Sequence, residues 1–164
     1  MQKTVLSGNE AFARAAYEAG VQVAAAYPGT PSTEILENIR HYERIDASWA
    51  PNEKVALEVG IGACMGGARA LVTMKHVGVN VAADPLFTLS YTGVRGGLVL
   101  VAADDPEMHS SQNEQDSRHY ARAAKVPIFD PADSQEALDF TRLAFAASEE
   151  FYTPIIMRST TRIS

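Results

Sequence analysis

Short apolar runs alternate with longer helical patterns along the whole chain. Strand candidates of four to six residues lie at positions 21–26, 45–49, 70–74, 98–102, 126–129 and 154–158. Strands that alternate with helices form βαβ crossovers, which place the strands parallel and cover the sheet on both faces. We therefore expect one α/β domain over residues 1–164, with a doubly wound, mostly parallel sheet of about six strands and helices on both faces.

Three segments directly follow predicted strands, at positions 27–30, 74–78 and 104–116. In parallel α/β sheets ligands bind at the carboxyl ends of the strands, so these segments are expected at the functional edge. Glu53 enters its helix after a strand and is expected to join them. The segment 104–116 is polar and aperiodic, and substrate shaping, subunit contact and simple solvation all stay open for it.

Local signals predict where several helices begin. Two capping boxes mark helix starts, at Ser7 with Glu10 and at Asp133 with Glu136. Thr30 is expected to cap a helix whose first residue is Pro31. Pro85 is expected to kink or divide an apolar helix over residues 79–91.

The segment at residues 52–68 is a helical pattern that opens with an acid, Glu53, and then fills with glycine. Its glycines are Gly60, Gly62, Gly66 and Gly67. Each glycine inside a helix costs about 1 kcal/mol relative to alanine, so the four together would cost roughly 4 kcal/mol. Such a helix is expected to be approached closely, either by a flat cofactor ring beside Glu53 or by a partner helix. Glu58, about 140° around the helix from Glu53, is expected to be a solvated or interface charge.

Composition excludes several classes of partner. The 164 residues are 46% hydrophobic and carry a formal net charge of -6, with Lys and Arg scattered singly. This argues against a nucleic-acid or anionic-membrane surface, which needs clustered basic charge. The four histidines lack the spacing of a metal site, so no metal is expected on this chain.

The single cysteine, Cys64, allows neither an internal disulfide nor a cysteine-ligated cluster. It is expected to be a small buried residue. The sequence has neither a signal-peptide pattern nor an apolar run approaching the roughly 20 residues of a membrane span. We therefore expect a cytoplasmic protein.

Four motifs in register carry a resemblance to a known family. They are Tyr27-Pro28-Gly29-Thr30-Pro31-Ser32-Thr33-Glu34, then Asn52-Glu53 with Gly62-Ala63 and Gly67-Ala68-Arg69-Ala70, the turn at Gly78, and His109-Ser110-Ser111-Gln112-Asn113-Glu114-Gln115-Asp116. With these motifs the chain resembles, over essentially its whole length, the pyrimidine-binding domain of thiamine-diphosphate-dependent 2-oxoacid:ferredoxin oxidoreductases. Within that superfamily it is most similar to the α subunits of indolepyruvate ferredoxin oxidoreductases.

The resemblance implies roles for individual residues. A family glutamate at the start of this helix binds N1′ of the thiamine aminopyrimidine and helps the ring to take the proton from the thiazolium C2 carbon, and the matching residue is Glu53. The same resemblance implies cofactor contacts for Tyr27, Pro28 and Gly60, and substrate contacts for Gly29, Thr30, Lys75 and His76. The plainer alternatives are a favourable helix-end charge for Glu53, an N-cap for Thr30, and a structural or surface role for Lys75 and His76.

The resemblance also implies that further protein is needed. The family binds the diphosphate through Mg²⁺ with a Gly-Asp-Gly motif that is absent here, and its 4Fe-4S clusters need more cysteines than the one in this chain. We therefore expect a homo- or hetero-oligomer with a diphosphate-binding domain or subunit. Mg²⁺ and the clusters would be bound by that partner, and ferredoxin and CoA would act through the full enzyme.

The resemblance implies oxidative decarboxylation of a 2-oxoacid to the acyl-CoA, with an aryl pyruvate such as indolepyruvate as the favoured substrate. Two alternatives stay open. One is the α subunit of a non-oxidative thiamine-dependent decarboxylase of the sulfopyruvate type. The other is a non-catalytic α/β module that serves only in assembly.

Overall fold

A computed structural model describes residues 4–164 of the chain. Its strands are β1 (Val23–Ala26), β2 (Asp46–Trp49), β3 (Ala70–Lys75), β4 (Leu98–Asp104), β5 (Ile128–Phe129) and β6 (Ile155–Thr160). Its helices are α1 (Gly8–Glu18), α2 (Thr33–Ile39), α3 (Glu53–Met65), α4 (His76–Val81), α5 (Ala83–Thr92), α6 (Ser117–Ala124) and α7 (Ser134–Phe151). A short 3₁₀ turn occupies Pro106–Met108.

The six strands form one parallel sheet in the order β2-β1-β3-β4-β6-β5. Ala70 at the start of β3 lies opposite Val23 of β1 and Leu98 of β4. Because all strands run the same way, their carboxyl ends meet at one edge of the sheet. The predicted parallel sheet of six strands is confirmed.

Helices cover both faces of the sheet and bury a hydrophobic core on each. On one face, α1, α2 and α7 pack through fully buried side chains that include Phe12 and Phe145. On the other face, helices α3 to α6 pack through side chains that include Leu57 and Leu86. The doubly wound arrangement is therefore also confirmed, and both predicted capping boxes lie at helix starts.

Helix α2 begins later than expected. Its first residue is Thr33 and its N-cap is Ser32, so the prediction that Thr30 caps a helix starting at Pro31 is wrong. The Thr30–Pro31 peptide is cis, and the Ser32 amide donates a hydrogen bond to the Gly29 carbonyl at 2.9 Å. The backbone therefore closes a tight turn where the first helical turn was expected.

The apolar segment after β3 is divided, but not at Pro85. Helix α4 ends at Val81 and α5 starts at Ala83. Pro85 lies in the first turn of α5, where its missing N–H breaks no helical hydrogen bond. The predicted break at Pro85 is therefore wrong in position, because the helix is divided three residues earlier, at Ala82.

The bounds of helix α3 lower the expected cost of its glycines in helix propensity. The helix ends at Met65 with Gly66 as its C-cap, and Gly67 has a φ of 91°, in the left-handed region that favours glycine. Only Gly60 and Gly62 lie within the helix, so the cost in helix propensity falls to about 2 kcal/mol.

Gly60 is explained by packing inside the chain. A Cβ atom there would overlap Cγ2 of Val72 on β3. The missing side chain therefore lets α3 lie close to the sheet, and Val72 replaces the flat ring first expected to explain this glycine. Gly62 faces outward, and a Cβ atom there would meet nothing within 4 Å.

Cys64 is buried, as expected, and its thiol donates a hydrogen bond to the Gly96 carbonyl at 2.7 Å. Burial raises the pKa of this thiol. In the described part of the chain, no helix combines the length and the apolar character needed to cross a bilayer.

The two glycines of α3 should respond oppositely to alanine. Gly60→Ala should lower the free energy of unfolding, because the severe overlap with Val72 is expected to cost about 2 to 3 kcal/mol, more than the gain of about 1 kcal/mol in helix propensity. Gly62→Ala is the matched control and should raise stability by up to about 1 kcal/mol. Urea unfolding of both variants measures the difference, and equal effects would contradict the packing account.

Candidate functional site

The turn after β1 is closed by its own hydrogen bonds. The Gly29 amide donates to Thr33 Oγ1 at 2.9 Å, and Ser32 Oγ donates to the Gly29 carbonyl at 2.8 Å. Asn9 of α1 adds a hydrogen bond from Nδ2 to the Pro31 carbonyl, also at 2.9 Å. The position of Thr30 is therefore fixed by its neighbours, while Thr30 itself is exposed.

This turn rests on the end of the neighbouring strand β3. A Cβ atom on Gly29 would lie 3.1 Å from Cβ of Lys75, so the turn reaches β3 because Gly29 has no side chain. Lys75 is only 8% exposed, and its ammonium group donates to the Ser110 carbonyl at 2.6 Å. The ends of β1 and β3 are thereby joined to the segment that follows β4.

Glu53 is the first residue of α3 and is half-buried. The helix start is held by Asn52, whose side chain accepts a hydrogen bond from the Val55 amide at 3.0 Å. The Glu53 side chain lies against Gly78 of α4, where a Cβ atom would sit 2.5 Å from Cγ and 2.6 Å from Oε1 of the glutamate. Gly78 is therefore the residue that makes room for the Glu53 carboxylate.

The other charged side chains on α3 pair with one another or with α5 and not with Glu53. Lys54 pairs with Asp84 at 3.0 Å and with Glu58 at 3.9 Å, and all three side chains are well exposed. The prediction that Glu58 is a solvated or interface charge agrees with its 51% side-chain exposure. Within residues 4–164, the Glu53 carboxylate takes part in none of these pairs and stays available to a ligand.

The segment after β4 is folded around the Asp105 carboxylate. Oδ1 accepts a hydrogen bond from the His109 amide at 3.1 Å, and Oδ2 accepts one from the Ser110 amide at 2.8 Å and another from the Ser111 hydroxyl. Burial opposes ionisation of Asp105, but these hydrogen bonds and the charge of Lys75 together lower the pKa of the carboxyl. The predicted aperiodic loop is thus an ordered loop with its own acceptor at the centre.

The far end of this loop is anchored by a second buried aspartate. Asp104 at the end of β4 accepts hydrogen bonds from the amide and hydroxyl of Ser117, at 3.1 and 2.5 Å, and from Nε of Arg158 at 2.6 Å. Arg158 lies on β6 and also bonds Asp130 after β5 at 3.0 Å. One guanidinium thereby connects the carboxyl ends of three strands.

His76, the first residue of α4, faces the same loop. It is 1% exposed, and its Nε2 lies 3.1 Å from the carbonyl oxygen of Asn113. The structure therefore brings together Glu53, Gly29, Lys75 and His76 through contacts at the carboxyl edge of four adjacent strands.

The other predicted site residues are placed differently. Tyr27, Pro28 and Thr30 are exposed on the turn after β1. Gly60 is buried two turns along α3 from Glu53, about 10 Å below the edge. Contacts of these four residues with a cofactor or substrate stay predictions.

Sequence reasoning missed the residues that organise the loop. Asp105 accepts hydrogen bonds from two loop amides and from the Ser111 hydroxyl, and Asn113 acts through its backbone carbonyl. The motif at residues 109–116 did not indicate these roles. The available signal was an aspartate at the end of a strand with two serines five and six residues later. In residues 4–164, no three His, Cys, Asp or Glu side chains are grouped so that they could hold a metal ion.

A family model matches most of the chain. Residues 14–162 match the family model described as pyruvate flavodoxin/ferredoxin oxidoreductase, thiamine diphosphate-binding. Because the match spans most of the chain, the chain belongs to this family.

The chain is also similar to individual proteins of known name. The chain is 56% identical to the indolepyruvate oxidoreductase subunit IorA of Archaeoglobus fulgidus and 46% identical to that of Pyrococcus horikoshii, over 99% of its own length in both cases. It is 28% identical to the 2-oxoglutarate synthase subunit KorA of Methanothermobacter marburgensis over 94% of its length. The chain spans about a quarter of the two IorA subunits, 27% and 26% of their lengths, and 44% of KorA.

A solved structure supports the same fold. The 2-oxoglutarate:ferredoxin oxidoreductase of Magnetococcus marinus superposes with a TM-score of 0.83 at 18% identity. The superposition covers 94% of this chain and 29% of that one. At this level of identity the likeness establishes the fold alone.

Asp116, at the start of α6, should make stability depend on acid pH. Hydrogen bonds from Arg118 hold the pKa of Asp116, the N-cap of α6, at about 2 although burial opposes them. A depressed pKa stabilises the fold above the unfolded value of about 3.9, and this contribution is lost as pH falls through about 2. Asp116→Asn should therefore flatten the decline of the urea midpoint between about pH 4 and pH 2.

Arg118→Gln serves as the companion variant, since removing the donor should return the pKa of Asp116 toward its ordinary value and flatten the same part of the profile. An unchanged slope in both variants would show that this pair does not contribute to acid unfolding.

Proposed function

We propose that this chain is the pyrimidine-binding part of a thiamine-diphosphate-dependent 2-oxoacid:ferredoxin oxidoreductase that acts on indolepyruvate or a related aryl pyruvate. The observation that carries the proposal is the Glu53 carboxylate, which lies against Gly78 at the carboxyl edge of the sheet without a charged partner among residues 4–164. Membership in a thiamine-diphosphate-binding family supports it.

The residues at this edge fit the aminopyrimidine end of the cofactor. Glu53 would hold the ring at N1′, because a carboxylate beside a bare glycine can approach a flat ring without obstruction. Tyr27 and Pro28, on the exposed turn after β1, would line the ring, and Gly60 stays a weaker candidate because it is buried against Val72. Bound thiamine diphosphate supplies the carbanion chemistry that decarboxylation of a 2-oxoacid requires.

Glu53 contributes by moving a proton at N1′ of the ring. The Asn52 cap fixes the backbone where Glu53 begins the helix, and the carboxylate lies against Gly78, so it would share a proton with the one ring nitrogen that faces it. Because Gly78 has no side chain, the space beside the Glu53 carboxylate stays open to the ring.

Lys75 is the best placed cation for the carboxylate of a 2-oxoacid. Its ammonium group has three donors, of which the Ser110 carbonyl takes one. The Gly29 amide is already taken by Thr33 Oγ1, so the turn would offer the hydroxyl of Thr30 rather than that amide. His76 completes the proposed substrate side, and the named substrates of the IorA relatives favour indolepyruvate.

The proposal includes a partner. The diphosphate, Mg²⁺ and 4Fe-4S clusters would be held by a diphosphate-binding domain or subunit, with ferredoxin and CoA acting through the assembled enzyme. The outer face of α3 suits such a contact, because Gly62 is open and Val59 and Met65 are 41% and 42% exposed. The proposed location of the enzyme is the cytoplasm.

Replacing the carboxylate tests the catalytic assignment. In the assembled enzyme, Glu53→Gln should lower kcat by roughly 10²- to 10⁴-fold, since the amide cannot take up or release the proton. Glu58→Gln, an exposed neighbour on the same helix, should leave turnover within about twofold. Unchanged turnover in Glu53→Gln, measured with indolepyruvate and ferredoxin, would instead favour a role in assembly alone.

The chain by itself should hold the cofactor poorly. Titration calorimetry of the isolated chain with thiamine diphosphate and Mg²⁺ should give no detectable heat of binding, because this chain contains no Gly-Asp-Gly motif for the diphosphate. Adding the diphosphate-binding partner should restore saturable binding. Tight binding to the isolated chain would mean that the diphosphate site lies on this chain.

A further inference from the structure

The protonation of His76 follows from its contact with the loop. A carbonyl oxygen only accepts hydrogen bonds, so the Nε2 that faces the Asn113 carbonyl at 3.1 Å must carry the hydrogen. In the tautomer that carries its hydrogen on Nε2, Nδ1 presents a lone pair.

That lone pair is buried without a donor. Nδ1 of His76 is shielded from solvent and has no hydrogen-bond partner within residues 4–164. A buried acceptor left unpaired loses its hydration without compensation, and such atoms are rare in folded proteins. An N–H or O–H group of a bound molecule that reached this nitrogen would satisfy it.

The loop that sets the tautomer is itself fixed at the same place. Lys75, adjacent to His76, bonds the Ser110 carbonyl at 2.6 Å, and Asp105 bonds the Ser110 amide at 2.8 Å as well as the Ser111 hydroxyl. The backbone before Asn113 is thus held against the start of α4. Asp105 acts on His76 only through this backbone, which makes it a positioning residue.

We propose that Nδ1 of His76 accepts a hydrogen bond from an N–H group of the bound reactants, and that the Asp105-centred loop fixes His76 in the tautomer that allows this. The inference rests on the proposed function. Two groups of that chemistry would be present, the ring N–H of an indole-type 2-oxoacid and the amino group of the cofactor pyrimidine. An imidazole nitrogen without a hydrogen can accept from either group, because both carry N–H.

The tautomer can be tested without turnover. Histidine ¹⁵N spectra of the full chain at neutral pH, assigned with His76→Gln, should show His76 protonated at Nε2 and not at Nδ1. Asp105→Asn should give a mixture of tautomers, because the amide keeps only one of the two acceptor oxygens around which the loop folds. Protonation at Nδ1 in the unsubstituted chain would overturn the proposal, and an unchanged spectrum in Asp105→Asn would overturn the positioning role.

Activity of the assembled enzyme tests the acceptor. His76→Gln keeps an N–H toward the Asn113 carbonyl but has no acceptor at the Nδ1 position, whereas His76→Asn keeps an acceptor near Nδ1 and loses the loop bond. We expect His76→Gln to lower kcat/KM for indolepyruvate roughly ten- to hundredfold, and His76→Asn to recover part of that loss.

Phenylpyruvate, which has no ring N–H, separates the two donors. A loss with indolepyruvate alone assigns the bond to the substrate, and an equal loss with both 2-oxoacids assigns it to the cofactor amino group. Full activity of His76→Gln with both substrates, in an enzyme that Glu53→Gln inactivates, would overturn this inference and leave the proposed function intact. If Glu53→Gln also retains activity, the proposed function itself fails.

Discussion

The site depends on the close approach of Glu53 to Gly78. The two residues follow strands β2 and β3, which are separated in the sheet by β1 and therefore by about 10 Å. Helix α3 closes that gap because it crosses over β1 and packs on β3 as well. Any side chain at position 78 would occupy the space of the glutamate carboxylate. The acid is thus held by the geometry of two helix starts rather than by a charged partner.

The depth of α3 is set further along the helix, at Gly60. Because this residue has no side chain, the helix approaches β3 until Val72 fills the space. That approach determines how far the first turn of α3 projects over the sheet, and so where Glu53 lies. Two glycines with different neighbours therefore serve one purpose. The glycine pattern that looked like a cofactor surface belongs in part to the internal packing of the domain.

Periodic and capping signals predicted the parallel sheet, the order of elements and the starts of α1 and α7, because those signals are local. Thr30 was misjudged because the side chains of Ser32 and Thr33 bond back to Gly29, a competition that helix-start rules do not weigh. The loop after β4 could not be predicted, since its bonds join Lys75 to a backbone carbonyl 35 positions away in sequence. The strand ends that carry the site were predictable, but hydrogen bonds from side chains to distant backbone groups were not.

The two edge strands of the sheet, β2 and β5, affect how copies of this fold can associate. At one border β2 has four residues, of which two are exposed, and at the other β5 has only two. Borders this short offer few free amide and carbonyl groups to an incoming strand, so continuous pairing between molecules and the aggregation that follows from it are disfavoured. Association is left to the helical surfaces, where side-chain shape rather than backbone pairing selects the partner.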